Sequence, residues 1–392
     1  LDVRELVDGE RTGDLVEAAA AYSLRNLSAS YTGNVVGVRR SSDDAEDSFT
    51  AAEVADGTLV DWVKRCGNFT NSGFETFENN GTGDGFTVTN TASNGFAAST
   101  SVSGIANDVV TLDFDLTIVS GSPALTLRDG IPGSTKSNVS ILTTSGSKSV
   151  TLTATGSFSN FSFSDGDIPS EFTVSNLRIS TNDGFVSQWT DQSGNGNHAT
   201  QGTYASQPKI VSGGTLVTTG GNPTVDFYDN SRLDTLAFTD GSALSAFSVI
   251  NNQSASATRK IFYAKSEFPN KGVVWNYRGD SSVGQYEFVS FDGATNALAI
   301  SDSTSPFHFI SSTMINGDKE VFINGTSEAT SSDSFVADDG TLVLGSSSFG
   351  TGFDIQEIII YASDQSANRT AFEANIGETY GIDLPSGVDT GY

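Results

Sequence analysis

Apolar and polar residues alternate with period two along most of this chain, most clearly between residues 67 and 184. Gly85-Phe86-Thr87-Val88-Thr89, Val109 through Ile118, Ser149 through Ala154, Phe158 through Phe163 and Phe172 through Ile179 each put one side-chain set on a buried face and the other toward water. That is the mark of half-buried antiparallel strands. Such a run of short strands in roughly 115 residues is the size of one β-sandwich. Alternation returns after residue 185 in Thr224–Phe227, Ala246–Ile250, Lys260–Ala264, Tyr286–Phe291, Phe307–Met314, Leu342–Gly345 and Phe353–Tyr361. Lys319–Ile323 lies between the turn signals Asn316-Gly317 and Asn324-Gly325.

A few helices punctuate this pattern. Asp14 with Glu17, and Thr50 with Glu53, have capping-box spacing. The first predicts a helix whose apolar face holds Leu15, Val16, Ala19, Ala20, Leu24 and Leu27, and Leu59–Val63 predicts a short one after the second. Asp364 or Ser366 is expected to cap a last helix through Ala367–Ile376, ended by Gly377. Residues 1–17 lack the periodicity for a core of their own and read as a docking arm; residues from 385 read as a tail.

Trp189-Thr190-Asp191-Gln192-Ser193-Gly194-Asn195-Gly196-Asn197 forms a dense turn signal between two extended runs. Gly and Asn supply positive φ, while Asp and Ser bond nearby backbone, so this stretch reads first as a structural motif.

Composition narrows the functions. The 392 residues suggest two or three domains, and 41 Gly support an all-β chain of many turns. With 47 acidic against 20 basic residues, the formal net charge is −27, which argues against nucleic acid as a partner. It fits solubility in a salty medium. No apolar run is long enough for a membrane-spanning helix, and the single Cys66 excludes an internal disulfide framework.

Candidate chemistry is sparse. His198 and His308 lack metal-ligand spacing; His198 closes the turn and is expected to make a structural hydrogen bond. Cys66 is expected to be a buried thiol, and Arg39, Arg40, Asp43 and Asp44 a strand end with internal ion pairs. No cofactor is expected; Asp191 and Asn195 are the donors a structural calcium would use, although the turn needs them for its own bonds. Trp275, Tyr277, Arg278 and Asp280 have the composition of a carbohydrate site, with an aromatic face beside hydrogen-bonding groups. The i, i+2 spacing of Trp275 and Tyr277 suits a core strand equally.

Ala21-Tyr22-Ser23-Leu24-Arg25, Tyr31-Thr32-Gly33, Val38-Arg39-Arg40-Ser41-Ser42-Asp43, the Trp189–Asn197 turn and Glu357-Ile358-Ile359-Ile360-Tyr361 occur in that order. Together they resemble the catalytic-domain family of arabinofuranosidase B, a laminin-G/concanavalin-like β-sandwich whose pieces also occur in bacteriophage virion proteins. The resemblance covers residues 18–66 and 185–384, so 67–184 reads as an inserted module resembling a jelly-roll carbohydrate-binding domain. In that family one catalytic carboxylate follows a strand matching Phe262-Tyr263-Ala264-Lys265-Ser266-Glu267, which makes Glu267 a conceivable nucleophile. The other follows a Gly-rich turn matching Gly345–Gly350, where this chain has no carboxylate, and the family's paired Cys residues are missing too.

The resulting expectation is an all-β protein: a laminin-G-like sandwich (18–66 plus 185–384) carrying an inserted jelly roll (67–184). Its expected function is that of a bacteriophage virion structural protein, without hydrolase activity. It would be displayed on the virion surface as a homo-oligomer, held to other virion proteins through its arm and adhering to glycans. The alternative is a secreted bacterial glycan-binding protein or an arabinofuranosidase-like glycoside hydrolase.

Overall fold

A computed structural model of the chain describes residues 18–90, 95–99, 109–129, 140–157, 160–165, 169–228, 230–238, 243–252, 259–265, 272–278, 285–291, 296–302, 307–315, 318–332, 340–345 and 352–385. It is an all-β sandwich protein with antiparallel pairing throughout. Strands outside residues 69–179, apart from the small Thr218–Thr219/Asn222–Pro223 hairpin, form one hydrogen-bonded system that curls around a core including Tyr22, Val36, Val186, Trp189, Ile210, Leu244, Ile261 and Ile355. Phe353–Tyr361 is central to it, pairing along one edge with Ala243–Asn252 and along the other with both Ala20–Ser23 and Val225–Phe227.

Strands between Phe69 and Ile179 pair with one another in two five-stranded sheets; among the described residues an isolated bridge between Arg65 and Arg178 leads out of them. Their facing sides enclose a second core rich in Phe, with Phe86, Phe163 and Phe172 fully buried. Leading into and out of this block, residues 63–67 and 177–184 run side by side. Ile179 N–H donates to Lys64 O (2.8 Å), and the Asn182 amide donates to Val63 O and Arg65 O. Arg178 reaches back from the last strand of the block to hold Asp61 through two bonds (2.6 and 2.8 Å) and Asp84 (3.2 Å).

Two helix expectations change. The chain from Ala20 to Ser23 is a strand, every residue of it buried, in register with Ile360 to Glu357. The apolar residues meant for a helix face instead fill an edge of the sheet, where tertiary packing overrides local helix preference; Asp14 and Glu17 lie outside the described residues. At the other end the helix is Arg369–Tyr380, closed by Gly381 at φ 65°, with no side-chain cap at Asn368. Gly377 does not end the helix but sits inside it, where a Cβ would come within 2.8 Å of Leu384 Cδ1. The Thr50–Glu53 capping box forms as expected, opening Ala51–Ala55, and Thr58–Val63 follows it.

Candidate functional site

The Asp191 turn is a clamp. Oδ1 accepts from the backbone N–H of Ala21 and of Ser193 (both 2.9 Å), and Oδ2 from Ser193 Oγ and Asn197 N–H. Gly194 and Gly196 adopt positive φ, as the turn requires. Asn195 and Asn197 donate side-chain amides to Ala18 O and Ala19 O, and Gln192 bonds Ser23 O, Arg25 O and Leu27 N–H. His198 Nδ1 accepts from Asp191 N–H (3.1 Å). Every one of these bonds ties the turn to itself or to the first strand and the residues flanking it. Both Asp191 oxygens are thus filled by N–H and O–H donors, an arrangement that serves folding.

Outside the last strand a second network forms. Phe353–Tyr361 does not alternate between core and solvent, because the Arg369–Tyr380 helix covers its outer side and all nine residues are buried. Glu357 faces this helix and receives Arg25 Nε (2.8 Å) and Nη2 (3.0 Å), Ser23 Oγ (3.0 Å) and Tyr380 OH (2.9 Å). Such saturation marks a structural carboxylate.

A different set of charges crosses the outer face of the curled sheet. Antiparallel register places Arg39 opposite Phe185, Phe185 opposite Lys209, Lys209 opposite Asp226, Asp226 opposite Asp354, and Asp354 opposite Asn251. Opposed residues in antiparallel strands share a face, so these six form one row whose neighbours Val38, Val186, Ile210, Val225 and Ile355 point into the core. Contacts confirm the alignment: the Arg39 guanidinium lies 4.6 Å from the Phe185 ring centre, and Lys209 Nζ 5.6 Å from the same ring. Lys209 also reaches the Tyr228 ring and forms an ion pair with Asp183 (2.8 Å).

Within this row Asp226 stands directly opposite Asp354. Cβ atoms of residues so opposed lie about 4.5–5.5 Å apart. Asp354 Oδ2 accepts from Thr219 Oγ1 (2.8 Å) and Asn251 Nδ2 (3.0 Å). Thr219 belongs to the Thr218–Thr219/Asn222–Pro223 hairpin, which is pinned by Gln356 through Thr219 O and Asn222 O. Asp354 is therefore buried under this hairpin, while Asp226 is half-buried. Local sequence gave no signal for the pair, since the row draws on residues from Arg39 to Asp354.

Trp275 is only 4% exposed and stacks on Phe288 at 4.4 Å, so its ring belongs to the core and offers no face to a sugar. Tyr277 and Arg278 continue the Gly272–Arg278 strand; their side chains, together with Asp280, Glu267 and residues 346–350, lie outside the described residues. Arg39 pairs with Asp44 and Arg40 with Asp43 (both 2.6 Å), as expected of a strand end. Cys66 is buried, and burial pushes its thiol up to about 12. A shallow concavity of about 360 Å³ opens on the outer face of the second sandwich, far from the Asp pair, where Ser147 and Asn176 hold Asp115.

No family model matches this chain, and no curated protein matches it. Among solved structures it is similar to an arabinofuranosidase complexed with arabinofuranosyl-α-1,2-xylobiose, at 13% identity and a TM-score of 0.50, over 99% of this chain and 67% of that one. It is also similar to a GH54 α-L-arabinofuranosidase soaked with a cyclic sulfate inhibitor, at 12% identity and a TM-score of 0.52, over 98% of this chain and 66% of that one. This chain thus spans about two thirds of each. At such identity the likeness shows the fold. Because that fold carries glycoside hydrolases in both neighbours, the expectation of a chain without hydrolase activity does not stand. It rests on the absence of a carboxylate between Gly345 and Gly350, whereas Asp226 and Asp354 stand opposite each other on neighbouring strands elsewhere in the sheet.

Proposed function

We propose that this chain is a glycoside hydrolase acting on arabinofuranosyl branches of a xylan-type glycan, with Asp226 and Asp354 as its carboxyl pair. The opposition of these two residues across adjacent strands carries the reading; the fold it shares with arabinofuranosidases supplies the substrate class. In a retaining mechanism one carboxylate attacks the anomeric carbon and forms a glycosyl ester as the C–O bond to the leaving group breaks. The other carboxyl gives its proton to the departing oxygen, then takes one from the water that hydrolyses the ester. Asp354, oriented by Thr219 and Asn251, suits the nucleophile. Half-buried Asp226 suits the acid and base. Asp354 is buried and bonded to Thr219, so this mechanism requires the hairpin carrying Thr219 to move aside for substrate.

The test is release of arabinose from arabinofuranosyl-xylobiose by the wild type, Asp226→Asn and Asp354→Asn. Each substitution should lower turnover by about 100-fold or more. A wild type without turnover, or turnover that neither substitution touches, would overturn the proposal. A polymeric substrate fits secretion as the setting. Display on a bacteriophage virion is a separate proposal resting on the sequence resemblance; its docking arm, residues 1–17, lies outside the described residues, and imaging of source particles would test it.

A further inference from the structure

The row that contains the Asp pair begins, three strands before Asp226, at an aromatic surface. Tyr204 is 48% exposed, and it is the exposed large aromatic residue among the described ones. One side of its ring meets the Arg39 guanidinium at 4.2 Å, and the same guanidinium meets Phe185 at 4.6 Å. Arg39 is itself held in place, with Nε donating to Gln207 Oε1 (2.8 Å) and Nη1 to Asp44 Oδ1 (2.6 Å). The loop bearing Tyr204 is folded around this head: Gln207 donates to Gln201 O (2.8 Å), and Thr203 N–H donates to Gln201 Oε1 (2.9 Å).

Arg39 is therefore a buried support, and Tyr204 is the cover it presents to water. A ring fixed on one side by a cation and open on the other offers what the apolar face of a sugar needs, a flat and preorganised partner. Hydrogen-bonding groups are exposed beside it, namely Thr203, its neighbour in the chain, and the Asp44 carboxylate, which pairs with the same Arg39 and whose side chain is 55% exposed.

We infer that Tyr204 is a distal binding platform for the glycan chain, separate from the carboxyl pair. Three strand spacings separate Arg39 from Asp226, about 14 Å across the sheet. A ligand touching both ends of the row must be an extended saccharide. The substrate class is thereby narrowed to a polymer or long oligosaccharide, and Tyr204 sets that preference. The inference rests on the hydrolase reading for its catalytic end alone; binding at Tyr204 is a separate measurement.

The experiment compares the wild type with Tyr204→Ala and Tyr204→Phe, using arabinofuranosyl-substituted xylan polymer for binding by affinity electrophoresis and arabinofuranosyl-xylobiose for turnover. Tyr204→Ala should weaken polymer binding about 3- to 10-fold, leave trisaccharide KM and kcat unchanged, and be rescued by Tyr204→Phe, which keeps the ring. Polymer binding that is lost in Tyr204→Ala while the wild type hydrolyses nothing upholds the platform and removes the hydrolase. Hydrolysis with polymer binding insensitive to Tyr204→Ala does the reverse. A wild type that does not bind the polymer overturns the platform.

Discussion

Arg25 and Glu357, 332 positions apart, meet in a two-pronged ion pair that joins the segment just after the chain's first described strand to its last strand. Glu357 is fully buried, and Arg25 also donates to Asn375 Oδ1 on the C-terminal helix (3.0 Å). Arg25→Met removes one partner and strands a buried carboxylate, which should cost about 3–5 kcal/mol by chemical denaturation. Burial, and then the charge of Glu357, hold the Tyr380 phenol well above its ordinary range. A folded value above the unfolded one means that this contribution is complete below about pH 10 and is lost as pH rises further. Alkaline titration should show Tyr380 ionising only with unfolding; ionisation in a still-folded chain would contradict the network.

Asp191 serves four donors, three of them backbone N–H groups, and one of these, Ala21, lies outside the turn. Asp191→Ala should cost about 3 kcal/mol or more, because buried donors lose their acceptor. The loss should be local first. Hydrogen exchange is expected to quicken at Ala20–Ser23, the strand that the turn clamps, before it does at Ala243–Asn252. Equal quickening in both would mean that the turn supports the whole sheet and not its edge.

Arg178 fastens the sandwich of residues 69–179 to the short helix Thr58–Val63. Its hydrogen bonds to Asp61 hold that carboxyl below the usual range. At Asp84 burial acts upward, but bonds from Thr82, Asn80 and Arg178 outweigh it and the net shift is also down. Depressed folded values contribute stability above the unfolded value, about pH 4, and that stability disappears as pH falls through the folded one. Calorimetric Tm should therefore drop on acidification below about pH 4, and Arg178→Ala should flatten the drop. An unchanged acid profile in the variant would remove Arg178 from this role.

Cys66 offers a simple check of packing at the junction between the two sandwiches. Buried and with its thiol pushed up to about 12, it should not react with a disulfide reagent at neutral pH until the chain unfolds. Rapid modification of the folded protein would show that the junction opens.

Much of the fold is legible in the sequence because strand alternation and turn chemistry are local. The Thr50–Glu53 box, the Phe353–Tyr361 strand and the Asp191 turn all lie where the residues predict. Ala20–Ser23 was not legible, since its apolar residues satisfy a helix pattern as well as a buried edge strand, and only the partner strand more than 300 residues later decides between them. The same holds for the row from Arg39 to Asn251. Each member occupies an ordinary outward position in its own strand; cross-strand register makes them neighbours, and no local spacing encodes that register. Trp275 failed as a sugar platform because composition cannot tell which way a strand residue faces, whereas Tyr204 sits in a short 3-10 turn that carries no binding signal.

The pairing of Ala20–Ser23 with Glu357–Ile360 also fixes an order of events during synthesis. A ribosome adding about 5–20 residues per second needs roughly 20–70 s to travel from the first of these strands to the second. Asn34–Arg40 pairs early with Glu46–Thr50 along one edge, but its other edge waits, because Gly184–Trp189 emerges only after the block of residues 69–179. That block pairs with no later strand, so it can finish folding while the strands before it still have unpaired edges. The nascent chain thus carries a completed sandwich beside an exposed β-edge until Glu357–Ile360 emerges, and that edge is where misassembly between neighbouring chains would begin.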